Sequence, residues 1–138
     1  MYKLKIIVCL DKSNGMLFNG RRQSQDSVLR SKIMEFTSGA TLRMNEYSGL
    51  QFSEYPNIVI SDSFLSDALE GDFCFIENVD LPDISSVEEV YIFRWNRDYP
   101  GDQFFDLDIA SHGFKRQKKE EFAGSSHKKI TLEIFKRV

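Results

Sequence analysis

Cysteine and histidine are both scarce: the 138-residue chain has two of each. That number cannot supply a zinc-binding spacing, and a metal-dependent nuclease of the HxHxDH kind is excluded. Cys9 and Cys74 each sit inside an apolar run, where a thiol reads as a small buried hydrophobe rather than half of a bridge or a nucleophile. Long hydrophobic runs are missing too. No stretch approaches the roughly 20 apolar residues of a membrane span. Residues 1–10 (MYKLKIIVCL) are too short an apolar stretch for a signal peptide, and no small-residue cleavage site follows. A soluble, cytoplasmic protein with no membrane partner is the expectation. Repeats, low-complexity stretches and linkers are absent as well, so residues 1–138 read as one domain.

What is present can build a core. Apolar residues make up 41% and charged residues 28% of the chain, a composition unlike that of a disordered tail. A chain of this size buries about two-thirds of the surface its unfolded form exposes. The net charge of −3 hides an uneven layout. Residues 1–45 carry eight Lys/Arg against three Asp/Glu, residues 46–114 two against fifteen, and residues 115–138 eight against three. Basic ends around an acidic middle fit pairing of positive and negative parts within one fold. A nucleic-acid surface needs the basic parts on one face, and the acidic middle opposes it.

Local patterns define the elements. Lys3 to Leu10 reads as a buried first strand, followed by turn chemistry at Asp11–Gly15 and a polar loop from Asn19 to Gln25. Asp26 or Ser27 can cap a helix whose apolar positions Val28, Leu29, Ile33, Met34 and Phe36 recur at helical spacing, ending at Thr37-Ser38-Gly39. Short strands are predicted at Ala40–Met44, at a buried run Asn57–Ser61 after Pro56, at Asp72–Ile76 and at Val87–Trp95. A short helix over Phe64–Leu69 follows a Ser61/Asp62 cap. Gly113–Phe122 and Lys128–Val138 alternate like an antiparallel pair around Gly124. This order predicts an α/β fold with a mixed, mostly parallel sheet, few flanking helices and a C-terminal antiparallel hairpin.

A parallel sheet gives the polar residues a shared location, because ligands bind beyond the carboxyl ends of its strands. Asp11, Asn45-Glu46, Ser61-Asp62, Glu77-Asn78 and Asn96-Arg97 each follow an apolar run directly, with the Arg21–Asp26 loop beside them. Two adjacent guanidiniums, amides, a hydroxyl and a carboxylate in that loop suit a phosphate or carboxylate ligand. Equally, its arginines can pair with Glu46, Glu77 or Asp98 inside the fold. Trp95 to Asp102 combines aromatic rings, an Arg and a turn, fitting either a recognition surface or a strand end tucked under a loop. In Glu121–His127 one His lies near Ser125 and Ser126, but no carboxylate or second element fixes a triad from the sequence.

The order of these motifs resembles the dihydrofolate reductase family. LKIIVCLDKSNGMLFNG is similar to that family's first strand and following loop, ATLRMNEYS to its strand before Met-Gly-Arg-x-Thr, and PNIVIS to the next strand. FCFIEN falls where the family has a strand ending in Gly-Gly, and EEVYIFRWN resembles the strand before the closing segments. The resemblance implies that Asp26, at a helix head, matches the acid that binds the pterin ring and the one catalytic candidate if the chain is a reductase. Ser48 matches a Thr at a phosphate-binding helix start.

The departures cluster where the reductase chemistry should be. Arg21–Gln25 replaces a Pro-Trp pair, Asn45-Glu46 replaces the Gly-Arg that meets a cofactor phosphate, and Glu77-Asn78 replaces the Gly-Gly. Unit charges near a protein surface interact by about 4 kcal/mol at contact, so one charge reversal and one added negative charge imply NADPH affinity weakened by about a hundredfold or more. Ordinary NADPH binding is therefore not expected. The reading is a divergent dihydrofolate-reductase-fold protein without ordinary reductase activity, binding a small polar or anionic ligand or a protein partner at the rim. Its candidate contacts are Arg21, Arg22, Gln23, Asp26, Asn45, Glu46, Ser48, Glu77, Asn78 and Arg97. A divergent NADPH-dependent dihydrofolate or pterin reductase is the first alternative, and a nucleic-acid-binding protein using the basic ends is the second.

Overall fold

The computed structural model describes residues 4–55 and 58–137; the expectations for Lys3, Pro56, Asn57 and Val138 lie outside them. β1 (Leu4–Leu10) is a β-branched, apolar run and forms the centre of a seven-stranded sheet. On one side it pairs in parallel with β6 (Phe73–Phe75), and β6 pairs with β4 (Leu42–Met44), which pairs with β5 (Ile58–Ile60). On the other side β1 pairs in parallel with β7 (Val87–Arg94). β10 (Ile130–Arg137) then runs antiparallel to β7, and β9 (Phe114–Phe122) closes that edge antiparallel to β10. The mixed, mostly parallel α/β sheet with its C-terminal antiparallel pair is the architecture the sequence pattern implies.

Side-chain alternation along β1 divides the core between the two faces. Ile6, Val8 and Leu10 pack with Phe64 of the short helix α3 (Phe64–Asp67) and with Ala68, which follows it. Ile7 faces the other way, onto Leu29 and Ile33 of helix α1 (Ser27–Phe36) and onto Phe52. Asp26 caps α1, accepting hydrogen bonds from the backbone of Val28 and Leu29. A second short helix, α2 (Glu46–Gly49), follows β4 directly with Asn45 as its cap.

Three expectations need correction. β5 is not buried: it is the outer strand of the sheet, and Val59 and Ile60 are 40% and 50% exposed. An edge strand lacks the second neighbour that would cover it. α3 takes neither Ser61 nor Asp62 as its cap; Ser63 occupies that position, and the Ser61 hydroxyl accepts from the Ser63 N–H. The stretch from Asn19 to Gln25 is not a continuous loop. β2 (Gly15–Phe18) and β3 (Arg21–Arg22) form a hairpin, extended by β8 (Gln103–Phe104) into a three-stranded sheet. Asn19 and Gly20 turn the hairpin with φ of 52° and 72°, the two left-handed positions a tight two-residue connection needs.

Candidate functional site

The five parallel strands all end at one rim, and the groups that follow them gather there. The β2–β3 hairpin lies over that rim and decides which polar groups remain open. Phe18 pairs with Arg21 and Leu17 with Arg22, and successive side chains of a strand point to opposite faces. Arg22 follows buried Leu17 and turns inward. Its Nε donates to Glu77 Oε2 at 2.9 Å and its Nη2 to Glu77 Oε1 at 3.1 Å, while the guanidinium lies 4.4 Å from the centroid of the Tyr47 ring. The Tyr47 hydroxyl accepts from the Arg22 backbone N–H at 2.8 Å. Glu77 is buried and also accepts from the Ser48 hydroxyl at 2.8 Å and from Gln51 Nε2 at 3.0 Å. Asn45 donates to Asn78 Oδ1 at 2.6 Å and accepts from the Ser48 N–H.

This half of the rim is closed by its own side chains. Between Cys9, Arg22, Glu77 and Trp95 a void of only about 10 Å³ remains, the room of one water. Of the pairings open to the arginines, Arg22 with Glu77 is the one that forms, bidentate and mostly shielded from water.

The other half is open. A cavity of about 500 Å³ lies between the hairpin and the turn after β7, lined by Phe18, Asn19, Arg21, Arg22, Gln23, Tyr99 and Pro100. Arg21 is exposed, and its guanidinium has no hydrogen-bond or ion-pair partner among the described residues. Gln23 spans the two halves. Its amide nitrogen is 3.3 Å from both Asp11 Oδ2 and the Pro100 carbonyl, while its buried Oε1 has no hydrogen-bond partner among the described residues. Asp11 ties the pieces together by accepting from the N–H groups of Ser13, Gly15 and Tyr99. Burial pushes its carboxyl up, but these donors and Gln23 outweigh burial and hold it below its ordinary value.

Beneath Tyr99 lies a buried polar cluster. Asp26, 2% exposed, accepts from Val28, Leu29 and Ser125 N–H through Oδ1, and from the Ser126 N–H and hydroxyl through Oδ2. Burial raises this carboxyl, yet the donors from Ser126, Ser125 and Leu29 prevail and hold it well below the usual carboxylate range. Gly124 permits the approach, since a Cβ there would stand 2.4 Å from Asp26 Oδ2. His127, 4% exposed, stacks on Trp95 with ring centres 4.7 Å apart. Its Nδ1 lies 2.8 Å from Ser126 Oγ and 3.6 Å from Asp26 Oδ2, and its Nε2 lies 2.7 Å from the Tyr99 hydroxyl and 3.5 Å from Ser24 Oγ. The carboxylate beside His127, which the sequence does not fix, is Asp26, about a hundred residues away. Desolvation lowers the His127 pKa and Arg97 adds to that, against the opposing pull of Asp26.

Of the sequence-derived candidates, Arg21, Arg22 and Gln23 line the cavity, whereas Asn45, Ser48, Glu77 and Asn78 bond to one another or to Arg22 on the closed side. Asp26 is spent on the head of α1 and the β9–β10 connection, so its carboxylate is not presented to the cavity. Glu46 stands exposed in the first turn of α2, and Arg97 is exposed, its carbonyl accepting from the Lys12 N–H. Phe18 and Asn19 are additions to the sequence-derived candidates, while Tyr99 and Pro100 belong to the Trp95–Asp102 stretch that the sequence offers as either a recognition surface or a tucked strand end. The signal for the first two was the Asn19-Gly20 turn, which folds Phe18 and Asn19 back over Arg21; that Tyr99-Pro100 meets this hairpin is a long-range fact.

An open, mostly parallel α/β sheet with its polar residues beyond the strand ends belongs to the class whose ligands bind at that rim. Among solved structures the chain is similar to "Dihydrofolate reductase from Enterococcus faecalis complexed with NADP(H)and RAB-propyl", with a TM-score of 0.65 and 13% identity over 98% of this chain and 96% of that one. No family model matches the sequence, and no curated protein does. The chain has a dihydrofolate-reductase-like fold.

Proposed function

We propose that the chain is a ligand-binding protein on a dihydrofolate-reductase-like scaffold, without ordinary reductase activity, and that its ligand is a small molecule carrying both an anionic group and a flat apolar part. The observation that carries this reading is the cavity of about 500 Å³ lined by the unpaired Arg21 beside Phe18, Tyr99 and Pro100. A guanidinium offers paired donors to a phosphate, sulfonate or carboxylate, and the rings offer a face for stacking. A volume of a few hundred Å³ is that of ordinary small-molecule sites. The filling of the strand-end crevice by Arg22, Glu77 and Ser48 supports the loss of cofactor binding, because a pyrophosphate placed there meets a buried carboxylate.

The test is a titration followed by quenching of the single tryptophan, Trp95, and by thermal shift. NADPH, dihydrofolate and benzenesulfonate serve as probes. Binding of benzenesulfonate that Arg21→Ala weakens at least tenfold, with no NADPH response up to millimolar, is the expected result. Micromolar NADPH binding, or NADPH oxidation with dihydrofolate, overturns this reading in favour of a reductase.

A further inference from the structure

Tyr99 belongs to two environments at once. Its ring lines the cavity, and its hydroxyl lies 2.7 Å from His127 Nε2 in the buried cluster below. The hydrogen-bond order of that cluster follows from its acceptors. The single Ser126 hydroxyl proton has two pure acceptors in reach, Asp26 Oδ2 and the Gln25 carbonyl, both at 2.9 Å, so Ser126 Oγ is left to accept from His127 Nδ1 at 2.8 Å. In the neutral ring Nδ1 therefore carries the hydrogen, and Nε2 accepts the Tyr99 proton. The phenol proton points inward, away from the cavity.

Adding one proton to His127 reverses that last bond. Nε2–H becomes a donor, the Tyr99 oxygen accepts it over the same contact, and the phenol proton is released to seek another acceptor. The Nδ1 side is unchanged. We propose that the cavity takes up its anionic ligand together with a proton, the proton residing on His127 and the Tyr99 hydroxyl turning to donate to the ligand.

The charged groups facing His127 fit this role. Asp26 at the head of α1 favours the imidazolium, while Arg97, in the turn after β7, opposes it together with desolvation. Ser24, Ser126, Trp95 and Tyr99 complete the surroundings without a formal charge. The resting ring is held below its ordinary pKa and is neutral at neutral pH. A ligand anion near Arg21 and Tyr99 adds the negative charge and the acceptor that tip the balance. Coupling of this kind is reciprocal: the ligand raises the His127 pKa by the same factor by which protonation raises affinity.

This inference rests on the ligand-binding reading above, and the experiment separates the two. Benzenesulfonate stays fully ionised across the working range, so any proton taken up belongs to the protein. Calorimetric titration between pH 5.5 and 8.5, in buffers of different ionisation enthalpy, counts protons bound per ligand. Wild type is expected to take up close to one proton above the His127 pKa, with affinity rising up to tenfold per pH unit as pH falls. Tyr99→Phe keeps the ring and the cavity, and is expected to bind with little proton uptake and a flat pH profile. In the wild-type protein, the His127 ring resonances should titrate at higher pH with ligand than without. Binding without proton uptake, or uptake unchanged in Tyr99→Phe, overturns this inference and leaves the ligand reading standing. No binding up to millimolar overturns both.

Discussion

Arg21 and Arg22 are neighbours in sequence and end in opposite environments, and the rim divides along the same line. On the β4–β6 side, Arg22, Glu77, Ser48, Gln51, Asn45 and Asn78 satisfy one another and leave about 10 Å³ of free volume. On the side of the turn after β7, Arg21 faces an open cavity of about 500 Å³ with no partner of its own among the described residues. The hairpin produces both halves. Its strand geometry sends alternate side chains to opposite faces, so two residues of one type become a structural ion pair and a free cation. The dense polar half is thus the closed one, and the exposed Arg21 lies on the open half, where the ligand site is proposed.

The largest effect expected of any substitution lies in the cluster under the open half. Asp26→Ala leaves four backbone N–H groups without their side-chain acceptor, and should cost about 3–5 kcal/mol in urea unfolding. A loss below 1 kcal/mol would show that the β9–β10 connection does not depend on this carboxylate. Next comes the closed half: Glu77→Gln removes the countercharge and one of the paired acceptors of the Arg22 guanidinium in a site 20% exposed, leaving it the Tyr47 carbonyl, and should cost about 2–3 kcal/mol. A neutral result would erase the energetic contrast between the two sides.

Acid sharpens the comparison by a different route. His127 is held below its ordinary value of 6.5, so the unfolded chain takes up that proton first and stability declines as pH falls through 6.5. Asp26 and Asp11 are held below 3.8, so their contribution is present above that value and is lost as pH falls below it. Denaturation midpoints measured from pH 8 to pH 3 should fall in two stages, with His127→Gln removing the first. A single stage near pH 4 would assign no stability linkage to His127. The smallest stability effect belongs to Arg21→Ala, within about 0.5 kcal/mol of wild type because an exposed, unpaired side chain is removed. A larger loss would mean that Arg21 serves the fold, and the open half would lose its claim as a binding site.

Much of the sheet was legible because its signals are local. The apolar run at Leu4–Leu10, the Asp26 cap with its helical spacing, and the alternation of β9 and β10 each need only a few adjacent residues to be read. The hairpin at Asn19-Gly20 carried a local signal as well, and its consequence for Arg21 and Arg22 follows from strand alternation once it is read as a turn. β5 was misread because a short apolar run looks alike at the centre and at the edge of a sheet; only its neighbours decide how much of it is covered.

By itself the sequence determined the strands of the main sheet, where α1 starts, and that polar groups follow the parallel strands at one rim. These depend on backbone propensity, capping and hydrophobic period, which act over a few residues. The tertiary structure alone decided that Glu77 takes Arg22 rather than Arg21, that Asp26 meets Ser126 and His127, and that Tyr99 joins His127 to the cavity. Those contacts join residues from 28 to about 100 positions apart. Their formation depends on how the β2–β3 hairpin and the β9–β10 connection pack over the sheet, which no local signal encodes.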